Sequence, residues 1–207
     1  DGAPGYDHGF ALLDVEGGLG RLVVWRLDGS TRTVAERVRD LDLAAPWPLF
    51  LSDFEGGTGT LVQLARGQPH ALATRVPDYG GAWPNYSDYQ SGDALLFSDF
   101  DGSSGTLSFA APVPGVDDFG QPLRAAAPVA SGVGWFRRSF LGSFPGFIYI
   151  TAYDPANATG RLEYQNTELG FTSTVNEGVS SLVDTGSSVL YTVPYGANAG
   201  IWLTRKK

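Results

Sequence analysis

The 207-residue sequence contains no cysteine and no methionine. Without cysteine, neither a disulfide framework nor a thiolate metal site can form, and cysteine usage indicates no redox compartment. Charged residues make up only 17% of the chain and hydrophobic residues 43%, whereas globular domains typically contain about 25% charged residues. This composition argues against intrinsic disorder. There is also no run of about 18 apolar residues, so we predict no membrane-spanning helix.

Positive charge is scarce as well. The formal net charge is −8, which would repel a phosphate backbone, so we predict that nucleic acid is not a partner. The sequence begins at Asp1-Gly2 without an initiator methionine. We interpret this start as the product of signal-peptide removal, with a trimmed boundary as the alternative, and therefore expect an extracytoplasmic protein, either periplasmic or secreted.

Turn-forming residues are abundant, with 28 glycines and 13 prolines. The chain is organised around a stretch that occurs in five related copies, each an apolar run followed by a glycine-rich turn and a second β-rich run. The copies are residues 11–22, 50–61, 95–107, 150–162 and 191–202. This pattern is typical of a β-hairpin, so we predict five hairpins.

The spacing of the copies predicts the architecture. Their last glycines, taken as anchors, are about 40 to 55 residues apart, which is close to the length of one four-stranded propeller blade. These anchors are Gly20, Gly59, Gly105, Gly160 and Gly200. We therefore predict an all-β, single-domain, five-bladed β-propeller of four-stranded antiparallel blades, with a β-sandwich as the alternative. The predicted blades are residues 3–39, 40–77, 78–131, 132–176 and 177–207, approximately.

Two details follow from this assignment. Residues 112–122, which are rich in proline, glycine and aspartate, are predicted to form a long connection between the last two strands of the third blade. The last blade is expected to have only three strands, because the sequence ends soon after the run 201–204.

The stretch Ser91–Gly102 and the hairpin copies resemble the repeat of TolB-type β-propellers, in which a Ser-Pro-Asp-Gly turn precedes an apolar strand and an Asp-Gly turn. The nearest match to the Ser-Pro-Asp-Gly turn is Val183-Asp184-Thr185-Gly186. The resemblance implies a propeller fold. It also implies an extracytoplasmic platform that binds proteins and that, in some members, is joined to a peptidase.

Acidic residues recur at the predicted hairpin tips, where they would share one rim of a propeller. They are Asp14, Glu16, Asp53, Glu55, Asp99, Asp101 and Asp154. Such a rim could bind calcium or a cationic partner. The alternative is that each aspartate organises its own turn and keeps the rim soluble. We predict no metal site, because the turns lack the later acid that calcium loops supply.

A second group of candidate binding residues is aromatic. Trp83, Tyr86, Tyr89 and Trp135 are predicted to lie near a propeller face, where they could stack on a sugar or anchor a partner protein. The alternative is that they pack between blades.

The last predicted strand is a third candidate site. Ile201, Trp202 and Leu203 would form an edge to which a partner adds a strand. The alternative is an unpaired edge protected by the basic residues that follow it.

Features of catalytic sites are few. The two histidines, His8 and His70, lie far from any Gly-x-Ser-x-Gly motif, so we predict no catalytic residues, no enzymatic activity and no cofactor. The leading prediction is a binding or scaffold module for a protein partner. The alternative is a carbohydrate-binding lectin with pockets between blades, and a glycosidase acting through Asp53 or Asp99 is a third class.

Overall fold

A computed structural model describes residues 8–26, 28–39, 41–42, 49–65, 67–77, 95–116, 122–141, 144–166, 170–184 and 188–205. This part of the chain contains seventeen strands in five small antiparallel sheets and no helix. The all-β prediction is confirmed. Within the same ranges, no helix has the length and apolar character needed to cross a membrane.

The chain divides into two compact units. One comprises Asp1–Phe100 and Leu107–Val129, and the other comprises Asp101–Thr106 and Ala130–Lys207. In the first unit, sheet 1 has the order β1-β2-β3, and sheet 2 has the order β4-β5-β6-β7. Their strands are β1 (His8–Glu16), β2 (Leu19–Arg26), β3 (Thr31–Val38), β4 (Leu41–Asp42), β5 (Leu49–Glu55), β6 (Thr58–Ala65) and β7 (Gln68–Pro77).

The remaining strands form three further sheets. Sheet 3 has the order β10-β9-β8, sheet 4 the order β11-β12-β13-β14, and sheet 5 the order β15-β16-β17. The strands of sheet 3 are β8 (Leu95–Ser98), β9 (Gly105–Val116) and β10 (Pro122–Val133). The strands of sheets 4 and 5 are β11 (Trp135–Leu141), β12 (Phe144–Asp154), β13 (Thr159–Asn166), β14 (Thr172–Val179), β15 (Ser181–Asp184), β16 (Ser188–Val193) and β17 (Gly200–Arg205).

The prediction of four strands per sheet holds for sheets 2 and 4. The other three sheets contain three strands each among the described residues. For sheets 1 and 3, the predicted first strands fall in residues 1–7 and 78–94, which lie outside the described residues.

The predicted connection 112–122 is shorter than expected, because β9 continues to Val116. Pro112 and Pro114 are therefore strand residues. They are two positions apart, so their nitrogens face the same side of β9 and leave the amides on the other side free to pair with a neighbouring strand. Strand β8 has four residues among those that the structure describes.

Apolar side chains bury consecutive sheets against each other within each unit. One cluster joins sheets 1 and 2, a second joins sheets 2 and 3, and a third joins sheets 4 and 5. The first contains Leu22, Val38, Phe50, Val62 and Leu64. The second includes Leu49, Leu51, Leu61, Leu96 and Ala110, and the third includes Ile148, Ile150, Leu162, Val189 and Tyr191. Alternate residues of β5 thus face opposite neighbours, as a strand buried on both faces requires.

The repeated glycine has a packing role. Gly20, Gly59 and Gly160 do not have the left-handed backbone that marks the turn glycines. A Cβ at Gly20 would lie 2.7 Å from Leu12 Cγ, and one at Gly59 would lie 2.9 Å from the Ser52 carbonyl oxygen. Glycine is therefore required because the preceding strand approaches closely.

Candidate functional site

The first acid of the first three predicted tips has a left-handed backbone, and in the first two hairpins it lies on a β-bulge. Asp14, Asp53 and Asp99 have φ values of 54°, 52° and 53°, and Ala152 takes the same conformation in the fourth hairpin, with a φ of 50°. The strand register shifts at this point in the first, second and fourth hairpins. Aspartate tolerates the left-handed region better than most residues, and a bulge re-aims its side chain.

The acid two positions further along the chain stabilises the turn in the third and fourth hairpins. Asp101 Oδ1 accepts hydrogen bonds from the Ser103 and Ser104 amides, both at 2.8 Å. Asp154 Oδ1 accepts one from the Ala156 amide at 2.9 Å, and its Oδ2 accepts one from Asn157 Nδ2 at 2.6 Å. These two carboxylates therefore organise their own turns, as the alternative interpretation of the acidic rim predicted.

The same hydrogen bonds lower the pKa values of both acids. The Ser104 amide, followed by the Ser103 amide, lowers the pKa of Asp101 to about 2. The pKa of Asp154 is lowered mainly by the Asn157 side chain and then by the Ala156 amide.

We expect an NMR pH titration to give a pKa of about 2 for Asp101, below its ordinary value of 3.8. Because the folded pKa is the lower of the two, the carboxylate stabilises its turn fully above pH 3.8 and loses this effect as the pH falls through 2. The Ser103 and Ser104 amide shifts should therefore move only near pH 2. In Asp101→Asn this movement should disappear, and an Asp101 pKa at the ordinary value would contradict the assignment.

The hairpins differ in whether an arginine neutralises the first acid of the tip. In the first, Arg21 Nη2 lies 2.6 Å from Asp14 Oδ2. Arg21 pairs with Leu13 across the hairpin, and the residue at the same register position of the second hairpin is Thr60, opposite Ser52. In the fourth hairpin this position is Arg161. Asp53 therefore lacks the cross-strand arginine that neutralises Asp14.

Two arginines connect one sheet to the next hairpin. Arg37 of β3 donates from Nη2 to the Phe54 carbonyl at 2.6 Å, and Arg75 of β7 donates to the Phe100 carbonyl at 2.6 Å. Both arginines lie on left-handed bulges, with φ values of 50° and 51°. The hairpin that carries Asp53 is thus held in place by the preceding sheet.

A cleft opens between sheets 1 and 2 beside Asp53. Its volume is about 490 Å³, within the range of small-ligand sites. It is lined by Thr33, Val34, Ala35 and Glu36 from β3, and by Ser52, Asp53, Thr60, Val62, Pro69 and Ala71 from β5, β6 and β7. Asp53 of the predicted rim thus lines this cavity, which sequence reasoning did not identify.

Sheet 4 contains a buried charge that sequence reasoning also missed. Glu163 is only 6% exposed, and its carboxylate lies 2.5 Å from Arg161 Nε and accepts a hydrogen bond from Thr174 Oγ1 at 3.2 Å. Tyr149 pairs with it across β12 and β13, and burial raises the pKa of that tyrosine. The sequence did contain a signal for this buried charge. Glu163 occupies the repeat position that is valine in the first two hairpins, at Val23 and Val62.

His70 has a structural contact. Its Nε2 lies 2.8 Å from the Arg124 carbonyl oxygen, which can only accept, so the imidazole donates. Gln63 accepts a bond from the Arg124 amide at 3.2 Å. These bonds link sheet 2 to β10.

Only one of the four predicted aromatic residues lies in the part of the chain that the structure describes. Trp83, Tyr86 and Tyr89 lie outside the described residues, and Trp135 begins β11, opposite Ile150. Their proposed binding role stays a prediction.

The predicted partner edge is exposed. Ile201 is 74% exposed and Leu203 53% exposed, and both flank Trp202, whose indole nitrogen donates to the Asn198 carbonyl at 2.9 Å. Strand β17 lies at one end of sheet 5.

Within the described ranges, no three histidine or acidic residues are grouped so as to hold a metal ion. A scan of protein-family models and a search of curated proteins found no match to this chain. The resemblance to TolB-type propellers therefore stays a prediction.

Proposed function

We propose that this chain is a non-enzymatic binding or scaffold module that holds a protein partner at sheet 5. The observation that carries the proposal is the edge position of β17. In sheets 2 and 4, the third strand is covered on this side by a fourth, β7 or β14, whereas β17 has no such neighbour among the described residues. An extended segment of a partner can add to this edge through main-chain hydrogen bonds.

The side chains of β17 add specificity to this edge. Ile201 and Leu203 alternate with Trp202, so they lie on one face of sheet 5, where Leu203 is paired with Leu190 and Leu190 with Val183. These four side chains are all exposed. Exposed apolar residues in a contiguous row are typical of an interaction surface.

The packing of the sheets supports a propeller as the scaffold. Sheets 1 and 3 pack against opposite faces of sheet 2, and sheets 4 and 5 pack against each other. Repeating this packing about one axis would give five blades of the TolB type. By the same analogy, we propose an extracytoplasmic location.

A pull-down from the native source tests whether a partner protein binds at the β17 edge. The wild-type chain is compared with the double variant Ile201→Lys, Leu203→Lys, and with the control Val116→Lys, which changes an exposed valine on β9. We expect a partner to be captured by the wild type and the control but not by the double variant. Hydrogen exchange at residues 200–205 should slow in the captured complex. Equal capture by all three chains, or unchanged exchange, would refute partner binding at β17.

A further inference from the structure

The cleft between sheets 1 and 2 combines an apolar surface with a negatively charged end. Val34, Ala35, Val62, Pro69 and Ala71 supply apolar walls. Asp53 and Glu36 supply carboxylates, and both side chains are exposed to solvent. A ligand suited to these walls has an apolar stem and a positively charged head.

A comparison of the repeats explains why the negative charge of Asp53 is not neutralised by an arginine across the hairpin. At the register position where Arg21 neutralises Asp14, the second hairpin has Thr60, which is short and neutral. Asp53 accepts a hydrogen bond from Ser52 Oγ at 3.2 Å. In the described part of the chain, neither Asp53 nor Glu36 forms an ion pair.

The neighbouring arginines are engaged elsewhere. Arg21 is bound to Asp14, and Arg37 donates two hydrogen bonds to the Phe54 carbonyl. Because the whole chain is also negatively charged, a cation approaching this cleft is attracted at long range as well.

We infer that the cleft binds a primary alkylammonium group, either the side chain of a lysine in a partner protein or a free alkylamine. The ammonium lies between Asp53 and Glu36, and the methylene stem lies against Val34, Val62 and Ala71. Lysine has this division between an apolar stem and a hydrated charge. A sugar is a poorer fit, because no aromatic residue among those that the structure describes lines the cleft. This site is independent of the β17 edge, so either proposal can fail alone.

An NMR titration tests the inference with three probes. They are the peptide acetyl-Ala-Lys-Ala-amide, the same peptide with norleucine in place of lysine, and n-butylamine at neutral pH. We expect the lysine peptide to shift the methyl signals of Val34, Val62 and Ala71 saturably. The norleucine peptide should bind about tenfold more weakly because it lacks the charge. Tighter binding of the lysine peptide than of butylamine indicates a protein source, and the reverse order indicates a free amine.

Matched variants locate the site. Asp53→Asn should weaken lysine-peptide binding about fivefold, whereas Asp14→Asn should leave it unchanged, because that aspartate is already paired. Thr60→Arg should also weaken binding, since it places the cation of the first hairpin beside Asp53. Arginine is accommodated at this register position in the first and fourth hairpins, so this variant should fold.

Three results with the wild-type chain and the peptides would overturn the inference. They are equal binding of the norleucine and lysine peptides, saturable shifts confined to residues outside the cleft, and the absence of saturable shifts at tens of millimolar peptide. Binding that is unaffected by both Asp53→Asn and Thr60→Arg would also refute the site. If methyl α-mannoside shifted the same signals at lower concentration than either amine, the cleft would be a carbohydrate site.

Discussion

Replacing Phe50 with alanine is expected to lower the free energy of unfolding by about 3–5 kcal/mol, the usual cost of removing a fully buried phenylalanine. Phe50 is 1% exposed and lies in the cluster with Leu22, Val38, Val62 and Leu64 that joins sheets 1 and 2. Truncation leaves a cavity between two sheets, and rigid strands on both sides limit its collapse. Urea denaturation followed by circular dichroism measures the loss.

The matched control is Trp25→Ala. Trp25 is also aromatic and lies on β2 of sheet 1, but it is 55% exposed, so its truncation should cost less than about 1 kcal/mol. If the two variants lost equal stability, the packing of sheet 2 on sheet 1 through Phe50 would be wrong. The Phe50 variant should also disturb the cleft, because Val62 belongs both to this cluster and to the cleft lining.

Replacing Gly160 with alanine is the second change with a large expected effect. Gly160 is buried, and a Cβ there would lie 2.8 Å from the Thr151 carbonyl oxygen and would overlap the Ile150 side chain. The backbone carbonyl cannot move without breaking the pairing of β12 with β13. We expect a loss of about 1–3 kcal/mol, typical of overpacking, measured by the same denaturation.

Gly170→Asn is the control for this change. Gly170 has a φ of 69° and no atom within 4 Å of an added Cβ, and asparagine tolerates the left-handed region. Its replacement should change stability by less than about 1 kcal/mol. A Gly160 variant as stable as the wild type would show that β12 and β13 do not approach each other closely at the repeated glycine.

Local patterns in the sequence were sufficient to predict the hairpins. Alternation of apolar residues and glycine-rich turns is set by neighbours along the chain, so the hairpins around Asp14, Asp53, Asp99 and Asp154 could be predicted.

The physical reason for the repeated glycine was not predicted. Gly20, Gly59 and Gly160 were interpreted as turn residues, yet their role is to admit the bulged strand opposite. In the fifth copy, Gly200 is itself paired, with Val193, and the register of that hairpin shows no shift before its turn. A bulge shifts the register by one residue and leaves no clear mark in composition.

The properties of the candidate site were likewise predicted from the sequence only in part. The sequence alone placed the acids at hairpin tips, because aspartate, glycine and serine favour turns through interactions within a few residues. Only the structure decided which carboxylate is neutralised and which one faces a cleft. The first outcome depends on the register of the hairpin, which brings Arg21 to Asp14. The second depends on how one sheet covers the next, which joins residues that are distant in the chain.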